Sequence, residues 1–121
     1  MDFRELLSVI RSAPLNIRLD RAAQLLKEHP EVVEIVLPRM QGDIQVWQEA
    51  GTRGVPVVDR GGRETVVWNE AGGFKIEGGN RQPYSVTPEF AMGMYLTAEI
   101  DAENHSSVDR ENYSYGDERE D

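Results

Sequence analysis

The 121-residue sequence predicts an α+β domain: two or three N-terminal helices packed on an antiparallel β-meander, with a disordered acidic C-terminal tail. Three observations carry that prediction. Apolar residues recur at helical spacing through the first quarter of the chain. Glycine pairs then punctuate short runs from 41 to 83. Beyond residue 100 the composition turns acidic and poor in large apolar side chains. Residues 1–100 therefore read as a single domain, the expectation for a chain of this length, and 101–121 as a flexible tail.

The first helix is expected over 2–12. Phe3, Leu6, Leu7 and Ile10 fall at i, i+3, i+4 and i+7, which makes one apolar stripe. Asp2 can cap the free amides, and Glu5 completes a capping-box pair. Pro14 closes the element. A second helix follows over 17–28, with Leu19, Ala22, Ala23 and Leu26 inward and Pro30 as its stop. Residues 31–37 are ambiguous. Val32, Val33, Ile35 and Val36 favour a strand, whereas a third helix followed by hairpins would resemble a winged helix.

The meander is expected from the runs 43–49, 55–60, 63–69 and 74–77. Gly61-Gly62, Gly72-Gly73 and Gly78-Gly79 supply the turns, because tight hairpins need positive φ. Pro56 belongs on an edge strand or at a bulge. Residues 90–100 alternate, with Phe90, Met92, Met94, Leu96, Ala98 and Ile100 on one side, and read as a long strand. Thr87-Pro88-Glu89 would equally start a helix.

A two-residue turn at Gly61-Gly62 fixes a register. Arg60 then faces Arg63, Asp59 faces Glu64, Val58 faces Thr65 and Val57 faces Val66. Like charges directly opposite each other cost about 0.2–1 kcal/mol, so either an anion such as phosphate sits between the arginines or both splay into water. Trp68 falls beside Val55, Val57 and Val66 as core. Trp47 shares its strand face with Gln45 and Glu49, which marks it as an oligomer contact or a stacking platform for a base. The Gly72-Gly73 turn pairs Glu70 with Lys75 and Trp68 with Glu77, and groups Phe74 and Ile76 with Val67. Apolar residues then lie on both sheet faces, which predicts a homo-oligomer.

The formal charge is −9, from 22 acids and 13 lysines and arginines. Nine acids against Arg110 and Arg119 make 99–121 carry −7 of it, so the body is nearly neutral. Arginine outnumbers lysine eleven to two, and the planar guanidinium suits phosphate and stacks on bases. There are no cysteines and only His29 and His105, which excludes disulfides, thiolate chemistry and a multi-histidine metal centre. No apolar run approaches the roughly 20 residues of a membrane span, and the N-terminus lacks a signal-peptide pattern, so a cytoplasmic protein is expected. There is no phosphate loop, no nucleophile elbow and no poised acid–base pair, so neither an enzyme nor a cofactor is expected; His29 reads as a helix cap.

Arg53, Arg60, Arg63, Lys75 and Arg81 are interleaved with Trp47, Phe74 and Tyr84. Cations that track a backbone and aromatics that stack bases are what sequence-tolerant single-stranded DNA binding requires. The five cations meet Asp59, Glu64, Glu70 and Glu77 within 53–81, a net of only +1, so the salt dependence should be shallow. With the acidic tail from Asp101 to Asp121, this layout resembles small phage-type single-stranded-DNA-binding proteins. It is similar also to phage RNA polymerase cofactors that hold melted promoter DNA. The resemblance covers the overall plan and the tail. It implies a phage protein in the host cytoplasm, acting in transcription or replication, whose tail recruits a polymerase. Here the tail ends in Arg119-Glu120-Asp121 and not in a terminal phenylalanine. The alternative is an acidic adaptor or inhibitor that mimics nucleic acid and binds a host protein.

Overall fold

In a computed structural model of the chain, the residues described are 1–59, 63–71, 73–78 and 82–113, without the side chains of 103–113. Helix α1 (Phe3–Ser12) forms where the stripe predicts it, burying Leu6 and Ile10. Its capping box is complete: Asp2 Oδ1 accepts from the Glu5 N–H at 2.8 Å, and Glu5 Oε1 accepts from the Asp2 N–H at 3.2 Å. At its other end Arg18 Nη2 donates to the Arg11 and Ala13 carbonyls at 3.0 and 3.1 Å, satisfying acceptors that no helical amide reaches. A short 3₁₀ turn (Leu15–Ile17) leads into α2 (Arg18–Glu28), which buries Leu19, Ala22, Leu25 and Leu26.

The ambiguous 31–37 segment is helical, and so is the expected first strand, 43–49. Both belong to α3 (Pro30–Glu49), which carries Pro30 in its first turn. Its buried residues, Val32, Val36, Met40 and Ile44, recur every fourth position. That stripe is packed against the core, and its burial outweighs the strand preference of the β-branched side chains. Pro38 lies inside this helix on the solvent side, with Glu34 also exposed, so water can serve the carbonyl that Pro38 leaves without an amide.

The expected strand over 90–100 is also a helix, the start of α4 (Pro88–Tyr113). Thr87 Oγ1 accepts from the Phe90 N–H at 3.1 Å as its cap. Ala91, Met92, Met94, Tyr95, Leu96 and Ile100 are all buried, so the helix is apolar around most of its circumference. A core helix of that kind has no polar face to give it a 3.6-residue period, and the alternation read from the sequence carried no strand information. At Gly93 the chain of α4 meets α2: a Cβ there would lie 3.2 Å from the Ala23 backbone nitrogen. Helix α4 continues into the acidic segment as far as Tyr113; residues 114–121 lie outside the described residues.

The sheet is the expected meander, four antiparallel strands in the order β1 (Val55–Val58), β2 (Glu64–Glu70), β3 (Gly73–Glu77) and β4 (Tyr84–Val86). Pro56 is on an edge strand, as predicted. The first register differs by one residue. Val55, Pro56, Val57 and Val58 face Val67, Val66, Thr65 and Glu64, and the Asp59 N–H donates to the Arg63 carbonyl at 3.0 Å. Arg63 therefore has Asp59 opposite it, and the expected Arg60–Arg63 pairing does not occur; Arg60 itself lies outside the described residues. The second register pairs Glu70 with Gly73 and Trp68 with Lys75, so that connection is 71–72, with Ala71 at φ 54.

These registers fix which residues share a face. Val55, Val57, Thr65, Val67, Phe74 and Ile76 share one face, all buried beneath the helices. Pro56, Val58, Val66, Trp68, Lys75 and Glu77 share the other. Pro56, Val58, Val66 and Trp68 keep apolar surface on the open face, so apolar residues on both faces, the premise of the expected homo-oligomer, remain in the observed register. A Cβ at Gly54 would sit 2.1 Å from the Val67 carbonyl oxygen, so only glycine lets β1 start this close to β2.

Candidate partner-binding surface

The loop after α3 is held by its own polar groups. The Thr52 hydroxyl donates to the Trp47 carbonyl at 2.8 Å, and Gln48 Nε2 donates to the Arg53 carbonyl at 2.9 Å. Gly51 takes a φ of 103° that favours glycine. This loop delivers Arg53 to the open sheet face, where its guanidinium carbon lies 4.7 Å from the centroid of the Trp68 ring. The same guanidinium pairs with Glu77. Trp68 is only 5% exposed, and on this face its cover is a cation and not the helices.

Across the strands Trp68 faces Lys75. Trp68 Nε1–H donates to Glu70 Oε1 at 2.9 Å, and Lys75 Nζ sits 3.0 Å from Glu70 Oε2. The indole hydrogen bond, and then the ammonium, hold the Glu70 carboxyl below its ordinary pKa. Arg53, Lys75, Glu70 and Glu77 thus form a charge-balanced frame around one indole.

The predicted nucleic-acid residues do not converge on one surface. Arg53 and Lys75 share this frame. Arg63 is exposed just before β2, and its backbone N–H donates to Asp59 Oδ1 at 2.9 Å. Phe74, 6% exposed, points into the core face and offers no ring to a base. Trp47 is in the last turn of α3, on no strand, and is 40% exposed; Tyr84 on β4 is 41% exposed. Arg60 and Arg81 lie outside the described residues.

The residues that sequence reasoning missed are the carboxylates. Their signal was the near-balance of acids and cations over 53–81, which treats Glu64, Glu70 and Glu77 as equal partners of the arginines. A cleft of about 800 Å³ opens where the sheet meets α4. From the strands it is lined by residues of both faces, Val57 and Thr65 on the helix side and Pro56, Val58 and Val66 on the open side, and from α4 by Ala98 and Ala102. Glu64, Glu77 and Asp101 also line it. Glu77 is paired with Arg53, and Asp101 Oδ1 lies 3.5 Å from Arg18 Nη1. Exposed Glu64 has no ion-pair partner among the described residues.

Among the described residues the most perturbed titratable group lies elsewhere. Tyr95 is buried between α3 and α4, where its hydroxyl donates to Asp43 Oδ2 at 2.5 Å. Burial first, then the Asp43 bond and the charge of Glu99, push its pKa far above the ordinary phenol value. Glu99 in turn holds Arg39 through two hydrogen bonds of 3.1 and 3.3 Å. This network ties helices together and does not line the cleft. Among the described residues no helix is long and apolar enough to cross a membrane, and no cluster of His, Asp and Glu is arranged to hold a metal ion. Comparison with protein-family models, curated proteins and solved structures finds no match for this chain.

Proposed function

We propose that this protein is a non-catalytic binding module that docks another protein, of cationic character, on the open sheet face and the adjoining cleft. One observation carries the reading: Arg53 and Lys75, two of the cations expected to hold phosphates, are each engaged by a carboxylate on their own face, Glu77 and Glu70. A phosphate approaching Arg53 or Lys75 would have to displace these carboxylates and remain beside them. The frame itself is balanced, and the sign favoured is set by the adjoining cleft, where exposed Glu64 has no ion pair among the described residues. The charge of −7 over 99–121 supports the same reading, because α4 carries its start past the cleft at Asp101 and Ala102. Such a field raises the encounter rate with a basic partner.

A random dodecapeptide library probed with the full chain is expected to enrich sequences rich in basic and apolar residues, and Val66→Glu should abolish their capture. Failure to enrich cationic peptides overturns the reading. Single-stranded DNA binding is the second reading, favoured by the exposure of Trp47 and Tyr84. Fluorescence anisotropy with a labelled oligonucleotide of about 30 nucleotides, single-stranded and duplex, separates the two. Protein docking expects no micromolar binding at physiological salt. Micromolar binding that prefers the single strand and is lost with Trp47→Ala would establish the second reading.

A further inference from the structure

Within the protein-docking reading, on which this inference rests, the cleft between α4 and the sheet specifies its occupant more closely than the open face does. It is an open cleft of about 800 Å³, within the size range of ligand clefts, and Pro56, Val58 and Val66 supply apolar surface. On the α4 side the lining residues Ala98 and Ala102 are small, which leaves room for a long side chain.

The three carboxylates of the cleft are not equivalent. Glu77 and Asp101 are already engaged by Arg53 and Arg18 from within the fold. Glu64 is exposed beside the same apolar residues without an ion pair among the described residues. An apolar cleft wall beside an exposed carboxylate with no ion pair among the described residues complements a side chain with an aliphatic stem and a planar cationic head.

We propose that the cleft takes an arginine side chain from an extended, apolar segment of the partner protein, with Glu64 accepting from the guanidinium. The stem lies along Pro56, Val58 and Val66. The acidic segment that follows Asp101 steers the segment in.

The test uses the full chain and two fluorescein-labelled octapeptides, one alternating valine and arginine, the other with citrulline at every arginine. Anisotropy gives affinity, and amide NMR shifts give the place. The arginine peptide is expected to bind with shifts at Val58, Val66 and Ala102. The citrulline peptide should bind about tenfold more weakly, the loss of a charge-assisted contact, and Glu64→Gln should reproduce that loss. Ala102→Trp, at an exposed helical position, should block the cleft and abolish binding with the far-ultraviolet circular dichroism unchanged.

Equal affinity for the two peptides, or full binding by both Glu64→Gln and Ala102→Trp, overturns the assignment. Binding whose shifts gather around the Trp68 indole overturns the cleft and leaves protein docking standing. Binding of the single-stranded oligonucleotide and of neither peptide overturns both. A concentration-dependent dimer in sedimentation that Ala102→Trp dissociates also overturns it, since a second copy would then be the occupant.

Discussion

Replacing Tyr95 with phenylalanine removes one oxygen from the centre of the helical layer, and the structure sets the size of the effect. The ring is 2% exposed and keeps its place in the variant, so no cavity forms. What is lost is a hydrogen bond to the Asp43 carboxyl group at 2.5 Å. Bonds of that kind contribute about 1.5–3 kcal/mol, and Asp43 is half-buried, so water restores part of its solvation. The expected loss is about 2 kcal/mol, or about 8 °C in melting temperature for a domain of this size. Urea unfolding followed by the fluorescence of Trp47 and Trp68 measures it.

The pH dependence has a definite sign. Folding raises the Tyr95 pKa, so its contribution is complete below the unfolded value near 10 and declines as the pH rises beyond it. The gap between wild type and Tyr95→Phe should be constant from neutrality to about pH 9 and narrow above about pH 10. A variant within about 0.5 kcal/mol of wild type, the range of neutral surface changes, would refute the account of the α3–α4 contact.

Two glycines should respond to alanine with opposite signs. Gly54→Ala puts a methyl group 2.1 Å from the Val67 carbonyl oxygen, and thermal melts should show a loss of about 1–3 kcal/mol. Gly42→Ala, inside α3 with nothing within 4 Å of the new methyl, should gain about 0.5–1 kcal/mol. Arg53→Ala uncovers the Trp68 ring. In a Trp47→Phe background the emission should shift to the red and acrylamide quenching should rise, with a stability loss of about 1 kcal/mol or less; unchanged emission would show that Arg53 does not seal the indole.

Legibility differed sharply between elements. Helix α1 was readable to its cap because everything that makes it, the stripe and the Asp2–Glu5 pair, lies within the element. The glycine-separated runs gave three of the four strands, and Pro56 correctly marked an edge. Strand β4 is three residues long and carried no period to detect. Helices α3 and α4 were misread over 43–49 and 90–100 because short windows of alternating residues fit both periods. Only the burial of Val32, Val36, Met40 and Ile44 in one row, and of α4 nearly all round, distinguishes them.

The surface residues were legible as types and not as partners. The sequence picked out Arg53 and Lys75 for their charge, and the fold gave each a carboxylate. It picked out Phe74 as an aromatic among cations, and the sheet turned it into the core. One residue of register in the first hairpin moved Arg63 from an arginine to Asp59 and put Val55, Val57, Val67, Phe74 and Ile76 together on the face beneath the helices.

Read alone, then, the amino-acid sequence determined the class of fold, the first two helices with their cap and stops, the meander, and the acidity of the segment beyond 100. Those are properties of composition and of contacts a few residues apart. Tertiary structure decided the helical state of α3 and α4, the strand register, the burial of Phe74 and the pairing of every placed cation on the open face. Each depends on which residues distant in the chain become neighbours, and the free energy of that packing exceeds the local preferences from which a sequence is read.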